Sequence, residues 1–324
     1  MTVVQPTSKA KPTDQDSLDD LANSRVSILL LGVGSLGCYL VAKTQQAELP
    51  APVHYGLMHR KAALLQNKAD MHCFMLQEAQ GPLKQRLSDE DYQAVQDAIL
   101  QADVVVLCAA LGGASGNVLA ELAQLKSHDT MAFVVTPFSF EGGARLQQAK
   151  ATMQQLETRC SAILELPNDL LRKALGGKTA LHQALDASNV FLHQLLHQLL
   201  GVLVEPGLIN LDVSDFKYLL SHQGRMLIGW HELDPKQPLS PQLAKLLQQP
   251  LLADADVSSA KAALVYLQAP DNLDTDTYHQ VHAELQRHLP NINLTLSGVR
   301  ICSRASLQIT LCLTGISGIW PEQP

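Results

Sequence analysis

"LLLGVGSLGCYL", Leu29 to Leu40, decides how the rest of the chain is read. An apolar run that begins at Val26 meets Gly32, Gly34 and Gly37 in G-x-G-x-x-G order, and a helical pattern starts at about Leu36. A buried strand, a tight glycine turn and a helix form the opening unit of a parallel α/β sheet, and such a turn brings backbone N–H groups up to a phosphate. A dinucleotide also needs a carboxylate about 20 residues further on, at the end of the second strand. That region reads "YGLMHRKAA", where His59, Arg60 and Lys61 carry no acid. A basic cluster suits a 2′-phosphate, so an NADP-type ligand stays open beside a turn that binds nothing.

Working outward, short apolar runs alternate with helical patterns. Strands are predicted at 26–32, 53–58, 102–110, 131–138 and 161–168, with helices at 91–101, 120–126 and 143–157. Such alternation predicts a parallel sheet covered on both faces, with ligands beyond the carboxyl ends of its strands. A second glycine turn, "LGGASGN" (111–117), falls at that edge, as do "TPFSFEGG" and "LPND". Gly112, Gly113 and Gly116 free successive N–H groups, and Ser115 and Asn117 add short polar donors. Two such turns on one edge suit a nucleotide polyphosphate. G-x-x-x-x-G-K-[ST] does not occur.

From Thr179 to about Leu203 apolar residues keep helical spacing, which predicts a helix about 37 Å long at about 1.5 Å per residue. Its broad apolar face predicts packing on more than one side. Beyond a proline-bearing loop at 234–242, a strand (262–269), a helix (around 275–288) and two strands (292–300, 307–315) predict a second α/β unit with a mixed sheet.

Composition narrows the function classes. In 324 residues, 46% are apolar, enough for a large core, and the net charge of -7 argues against nonspecific nucleic-acid binding. No apolar run of the length of a bilayer span is expected. Residues 1–24 are polar and acidic and read as a flexible leader, so a cytoplasmic location is expected. Six scattered cysteines without a C-x-x-C pair suit reduced thiols, with Cys108 and Cys312 in apolar strand runs. His193 and His197 share a helix face, but no third metal ligand lies near them in sequence.

The most specific segment is "TPFSFEGGARLQQA" (136–149), which is followed by "LPNDLL" (166–171), the long helix, and "PGLINLDVSDF" (206–216). In this order the chain resembles the tubulin/FtsZ family, FtsZ-like proteins in particular, over about residues 25–316. The resemblance implies a Rossmann-like parallel-sheet GTP-binding domain (25–178), a central helix (179–203), a second domain with a mixed sheet (204–318) and a short tail (319–324). It implies GTP or GDP as ligand, with Mg²⁺ as a further candidate. The phosphates fall to Gly32, Gly34, Gly37, Gly112, Gly113, Ser115, Gly116 and Asn117, and the nucleoside to Glu141, Arg145 and Asn168. Asn210, Asp212 and Asp215 match the family's catalytic loop, whose aspartates enter the site of a neighbouring subunit and polarise the attacking water. Head-to-tail self-association, or co-assembly with an FtsZ-like partner, follows, with no direct membrane insertion and a GTPase role in cell division or the cytoskeleton.

Each residue also has a plainer role. Glu141 and Arg145 are spaced as a surface ion pair, Asn168 as a turn or cap, and Asp215 as a helix cap with Asp212 solvated. The chain also departs from the family. "GGASGN" stands where the family has G-G-G-T-G-T-G, Tyr39 where it has an asparagine, and "QEAQGPLKQR" (77–86) where it has a glycine-rich loop. On the central helix Val190 replaces the aspartate that reads guanine, and Leu185 replaces an aromatic. The sequence ends at "GIWPEQP", and from it neither the family's linker nor its docking peptide is expected. A non-catalytic filament partner and an NAD(P)- or ATP-dependent Rossmann enzyme are the alternatives.

Overall fold

The structure, a computed structural model, describes residues 26–316 except 48, 50–52, 67–69, 79–80, 127, 176–180, 206, 250–251, 253–255, 293 and 305. The expected leader and short tail lie outside the described residues, as does Thr179.

The parallel strands are β1 (Ile28–Val33), β2 (Val53–His59), β3 (His72–Met75), β4 (Val104–Ala110), β5 (Thr130–Thr136) and β6 (Ala162–Pro167). Their residues alternate between the two faces, as strand geometry dictates. On one face Leu30, Val106, Phe133 and Leu164 pack with α1 (Gly34–Gln45) and with the long helix described below. On the other, Leu31, Leu107, Val134 and Ile163 pack with three helices, α3 (Asp89–Gln101), α4 (Ala114–Leu122) and α5 (Gly143–Glu157). A short α2 (Leu83–Arg86) precedes α3. Both faces are apolar because both are covered, so these strands read as continuous runs in the sequence.

Helix α4 starts six residues earlier than the sequence predicts. Gly112 turns the chain at φ +81°, and Ala114 to Asn117 form the first helical turn rather than a loop. Gly116 lies inside that turn close against Thr152, where a Cβ would come within 3.1 Å of the threonine side chain.

After α6 (Asn168–Leu175), α7 (Leu181–Val204) runs along the sheet. Leu192, Leu195, Leu196, Leu199 and Leu200 share one core with Val106 and Phe133 on one side and Leu264 and Cys312 on the other, which explains the broad apolar face. By length and composition the segment Leu185–Val204 would also cross a bilayer, contrary to the expectation that no run suffices. Its apolar face is occupied by the sheet.

The remaining elements are α8 (Val213–Ser221), β7 (Gly224–Leu233), α9 (Leu239–Leu247), β8 (Ala262–Ala269), α10 (Thr275–His288), β9 (Leu294–Ile301) and β10 (Leu307–Ile316). The expected proline loop ends early, since α9 begins at Leu239 and takes Pro241 in its first turn, where a missing N–H costs nothing. Instead of two separate sheets there is, among the described residues, one of ten strands, ordered β3-β2-β1-β4-β5-β6-β7-β10-β8-β9. The seam is two parallel pairs, Ala162 with Gly224 and Ile163 with Arg225. Beyond it the sheet is mixed, β10 being antiparallel to β7 and β8, and β9 parallel to β8.

Candidate functional site

The turns after β1, β4, β5 and β6 stand side by side because those strands are neighbours. Gly32 and Gly37 hold helix and sheet together. A Cβ on Gly37 would drive into the Cys108 carbonyl oxygen, and one on Gly32 into the Gly37 carbonyl. Gly34 takes φ +74° and lies so close to the Ser115 hydroxyl that the two glycine turns touch. At Gly113 the space beside the Cα is open, with no heavy atom within 4 Å of a built Cβ.

The helices that leave these turns have bare N-termini. α1 is preceded by Val33 and α4 by Gly113, neither supplies a side-chain cap, and neither first turn holds an acid. By contrast, α3 has Ser88 accepting from the Asp91 N–H at 3.0 Å and three acids in its first turn. The uncapped N–H groups of α1 and α4 open onto a cleft of 810 Å³ lined by Gly34, Ser35, Ser115 and Asn117. An anion there would satisfy what the sequence leaves bare.

The far wall comes from the end of β2, the segment through α2 and the last turn of α4, and its residues are not among the expected phosphate-binding ones. It holds His59, Arg60, Lys61 and Arg86, with Glu78 and Glu121. Arg86 pairs with Glu121 at 2.6 Å, and Glu121 also accepts the Leu83 N–H. The Nε of Arg86 is buried with no partner among the described residues. His59 is 8% exposed, and burial, with Lys61 and Arg60 beside it, pushes its pKa below the usual histidine value. Its Nδ1 accepts the Lys61 N–H at 2.8 Å, so the neutral ring carries its proton on Nε2 and donates to Ser35 Oγ at 3.2 Å. The Ser35 proton is thereby left to point elsewhere. The sequence signal for this wall was the basic triplet directly after β2.

Burial also lowers the pKa of His193 and His282. Below about pH 6.5 the unfolded chain takes up protons that the three folded histidines resist, so folding stability falls. Glu165 works in the opposite sense, its carboxyl raised by burial. Urea unfolding at pH 7.5 and 5.5 checks the sign, and His59→Asn is expected to lessen the loss.

Glu141 and Arg145 pair with each other at 2.7 Å, and Glu141 also accepts the Phe138 N–H at 2.8 Å. Asn168 opens α6. All three follow β5 and β6 on the same edge, beyond the cleft's own lining. Leu185 and Val190 are exposed on α7, Val190 by 54%.

Asp212 and Asp215 lie at the other end of the sheet. Asp212 is the N-cap of α8, accepting the Asp215 N–H at 2.7 Å, while Asp215 returns the bond to the Asp212 N–H at 3.2 Å. The cap is therefore Asp212, reciprocated by Asp215, and each carboxylate keeps an oxygen outside the box. Asn210 accepts the Gly207 N–H at 2.6 Å. Lys217 on α8 reaches Asp103 at 3.4 Å and Asp129 at 3.6 Å, just ahead of β4 and β5. This pins α8 to the amino ends of the strands. The glycine turns are at the carboxyl ends, roughly 20 Å away at about 3.3 Å per strand residue.

The cleft lies beyond the carboxyl ends of the parallel strands and the acidic helix cap lies towards their amino ends, on one α/β scaffold. The model of the Tubulin/FtsZ family GTPase domain matches residues 56–176. The cell division protein FtsZ of Wigglesworthia glossinidia brevipalpis is 30% identical over 237 residues, 71% of this chain; the match spans 61% of that protein's length. Among solved structures, an FtsZ dimer from M. jannaschii aligns with TM-score 0.78 at 22% identity, over 95% of this chain and 93% of that one. A GTPγS-bound protofilament of CetZ2 from Haloferax volcanii aligns with TM-score 0.70 at 18% identity, over 90% and 94%. The domain match, the FtsZ relatives and the shared fold together support a divergent FtsZ-like protein of the tubulin/FtsZ family.

Proposed function

We propose that this protein binds GTP and GDP in the cleft beside the glycine turns, assembles head to tail, and hydrolyses GTP where two copies meet, in a cell-division or cytoskeletal role. One observation carries the reading. The cleft and the Asp212–Asp215 cap lie at opposite ends of the same strands, so the aspartates of one copy reach a cleft only in the next. A head-to-tail contact of this kind does not pair identical patches, and it grows into an open filament unless the rotation closes a ring. The CetZ2 neighbour, a GTPγS-bound protofilament, supports both ligand and assembly. Gly32, Gly34, Gly37, Gly112, Gly113, Ser115, Gly116 and Asn117 form the phosphate turns, Glu141, Arg145 and Asn168 hold the nucleoside, and Asp212 and Asp215, with Asn210 beside them, orient the attacking water. Positioning and charge supply most of the catalysis in phosphoryl transfer, so two carboxylates and an in-line water suffice chemically.

Phosphate release and sedimentation over a protein-concentration series test this, with GTP, GDP and ATP compared. Turnover per subunit should rise with concentration and sedimentation should follow GTP. Turnover independent of concentration overturns the shared site. The second reading, a non-catalytic filament partner, is favoured by the mutual pairing of Glu141 with Arg145 and the exposed, acceptor-free Val190. No binding of labelled GTP at millimolar concentration would leave that reading standing.

A further inference from the structure

We propose that Arg60 and Lys61 are specificity residues that receive the terminal phosphate, so that this protein separates nucleoside triphosphate from diphosphate with its own side-chain cations. The inference rests on the nucleotide reading above and adds a direction and a discriminator to it. The direction comes from strand order. Along the edge the turns run β2, β1, β4, β5, β6. With the nucleoside held by Glu141, Arg145 and Asn168 after β5 and β6, and the first phosphates over the turns after β4 and β1, the growing end of a polyphosphate points towards β2. That is one strand spacing further, about 5 Å.

What waits there is charge without a partner. Arg60 and Lys61 are exposed at the end of β2 and line the same cleft as Gly34 and Ser115. Neither makes an ion pair among the described residues, whereas Arg86 and Glu121 on that wall satisfy each other. The neutral His59 beneath them adds no charge, and it fixes their start by accepting the Lys61 N–H. Three cations against Glu78 and Glu121 give the lining a formal charge of +1, in a chain whose net charge is -7. Cations set among acids at a cleft mouth focus anion binding there. A diphosphate ends over the glycine turns and leaves both side chains in water, while a third phosphate meets both.

Equilibrium binding of GTPγS and GDP to wild type, Arg60→Gln, Lys61→Gln, the double variant and the control Lys245→Gln on α9 tests this. Both side chains are exposed, so the variants should fold, and thermal unfolding checks that they do. The double variant is expected to lose about tenfold or more in GTPγS affinity and less than about threefold for GDP, the worth of one or two charge-assisted contacts. Inorganic tripolyphosphate should compete less well against the double variant than against wild type, with pyrophosphate unchanged. An equal loss for both nucleotides, or no loss, overturns the role of Arg60 and Lys61 and leaves the nucleotide reading intact. Wild type binding neither nucleotide at millimolar concentration overturns both.

Discussion

Asp212→Asn is expected to cut GTP turnover by about 100-fold or more while leaving GTP binding within about twofold of wild type. The choice of asparagine matters. Asp212 caps α8 through a 2.7 Å bond from the Asp215 N–H, and alanine would remove that cap at a cost of about 1 kcal/mol. Asparagine keeps a capping oxygen and removes the charge, so a loss of turnover reports on the water rather than on the helix. Because the cleft and the cap lie at opposite ends, the loss should be rescued in mixtures. A second variant, Gly113→Asp, puts a carboxylate into the open space beside the phosphate turn and should block binding without a packing clash. Each variant alone is expected to be inactive. Mixed at equal concentration, the good cleft of one meets the good aspartates of the other, and turnover returns. A mixture as inactive as its components would sink the split site.

Arg225→Ala should destabilise the fold by about 3 kcal/mol. Arg225 sits at the seam where β6 meets β7, its side chain 11% exposed, and it joins Glu165 and Glu157, each at 2.8 Å. Glu165 is itself only 13% exposed, and burial already raises its carboxyl despite the arginine. Removing the guanidinium leaves a buried carboxylate without its cation, which costs far more than the intact pair contributes. The sign with pH follows. Without Arg225 the Glu165 pKa rises further, so the variant's deficit is largest at alkaline pH and shrinks as acid protonates Glu165. Denaturant unfolding at pH 8 and pH 5 measures both, and a deficit that grows on acidification contradicts the account.

The parallel strands and their helices were legible because each local signal agreed with the next. The run at β4 is apolar throughout, that at β1 is broken by Gly32 alone and that at β5 is apolar between its terminal threonines, and the helix at 143–157 and the strand at 262–269 have the bounds the sequence predicts. Two kinds of element escaped. β3 is four residues at an edge, too short to show a period, and β7 is broken by Gly229, whose missing side chain admits Leu252. The first turn of α4 looked like loop because serine, glycine and asparagine favour loops when nothing packs on them. Thr152 and the sheet decide otherwise.

The site divides along the same line. Glycines at Gly32, Gly34, Gly37 and Gly112, and the acids at Asp212 and Asp215, stand out in the sequence because close approach, positive φ and helix capping demand particular residue types. Sequence by itself therefore determined the row of turns, the helix that spans the sheet and the resemblance to the tubulin/FtsZ family. Tertiary structure decided that the two halves join in one ten-stranded sheet, and that the basic triplet after β2 shares a cleft with the glycine turns. It also decided that the aspartates lie at the opposite strand ends from that cleft. Those three are statements about which strand ends lie together, and strand order is set by long-range pairing that no local pattern encodes.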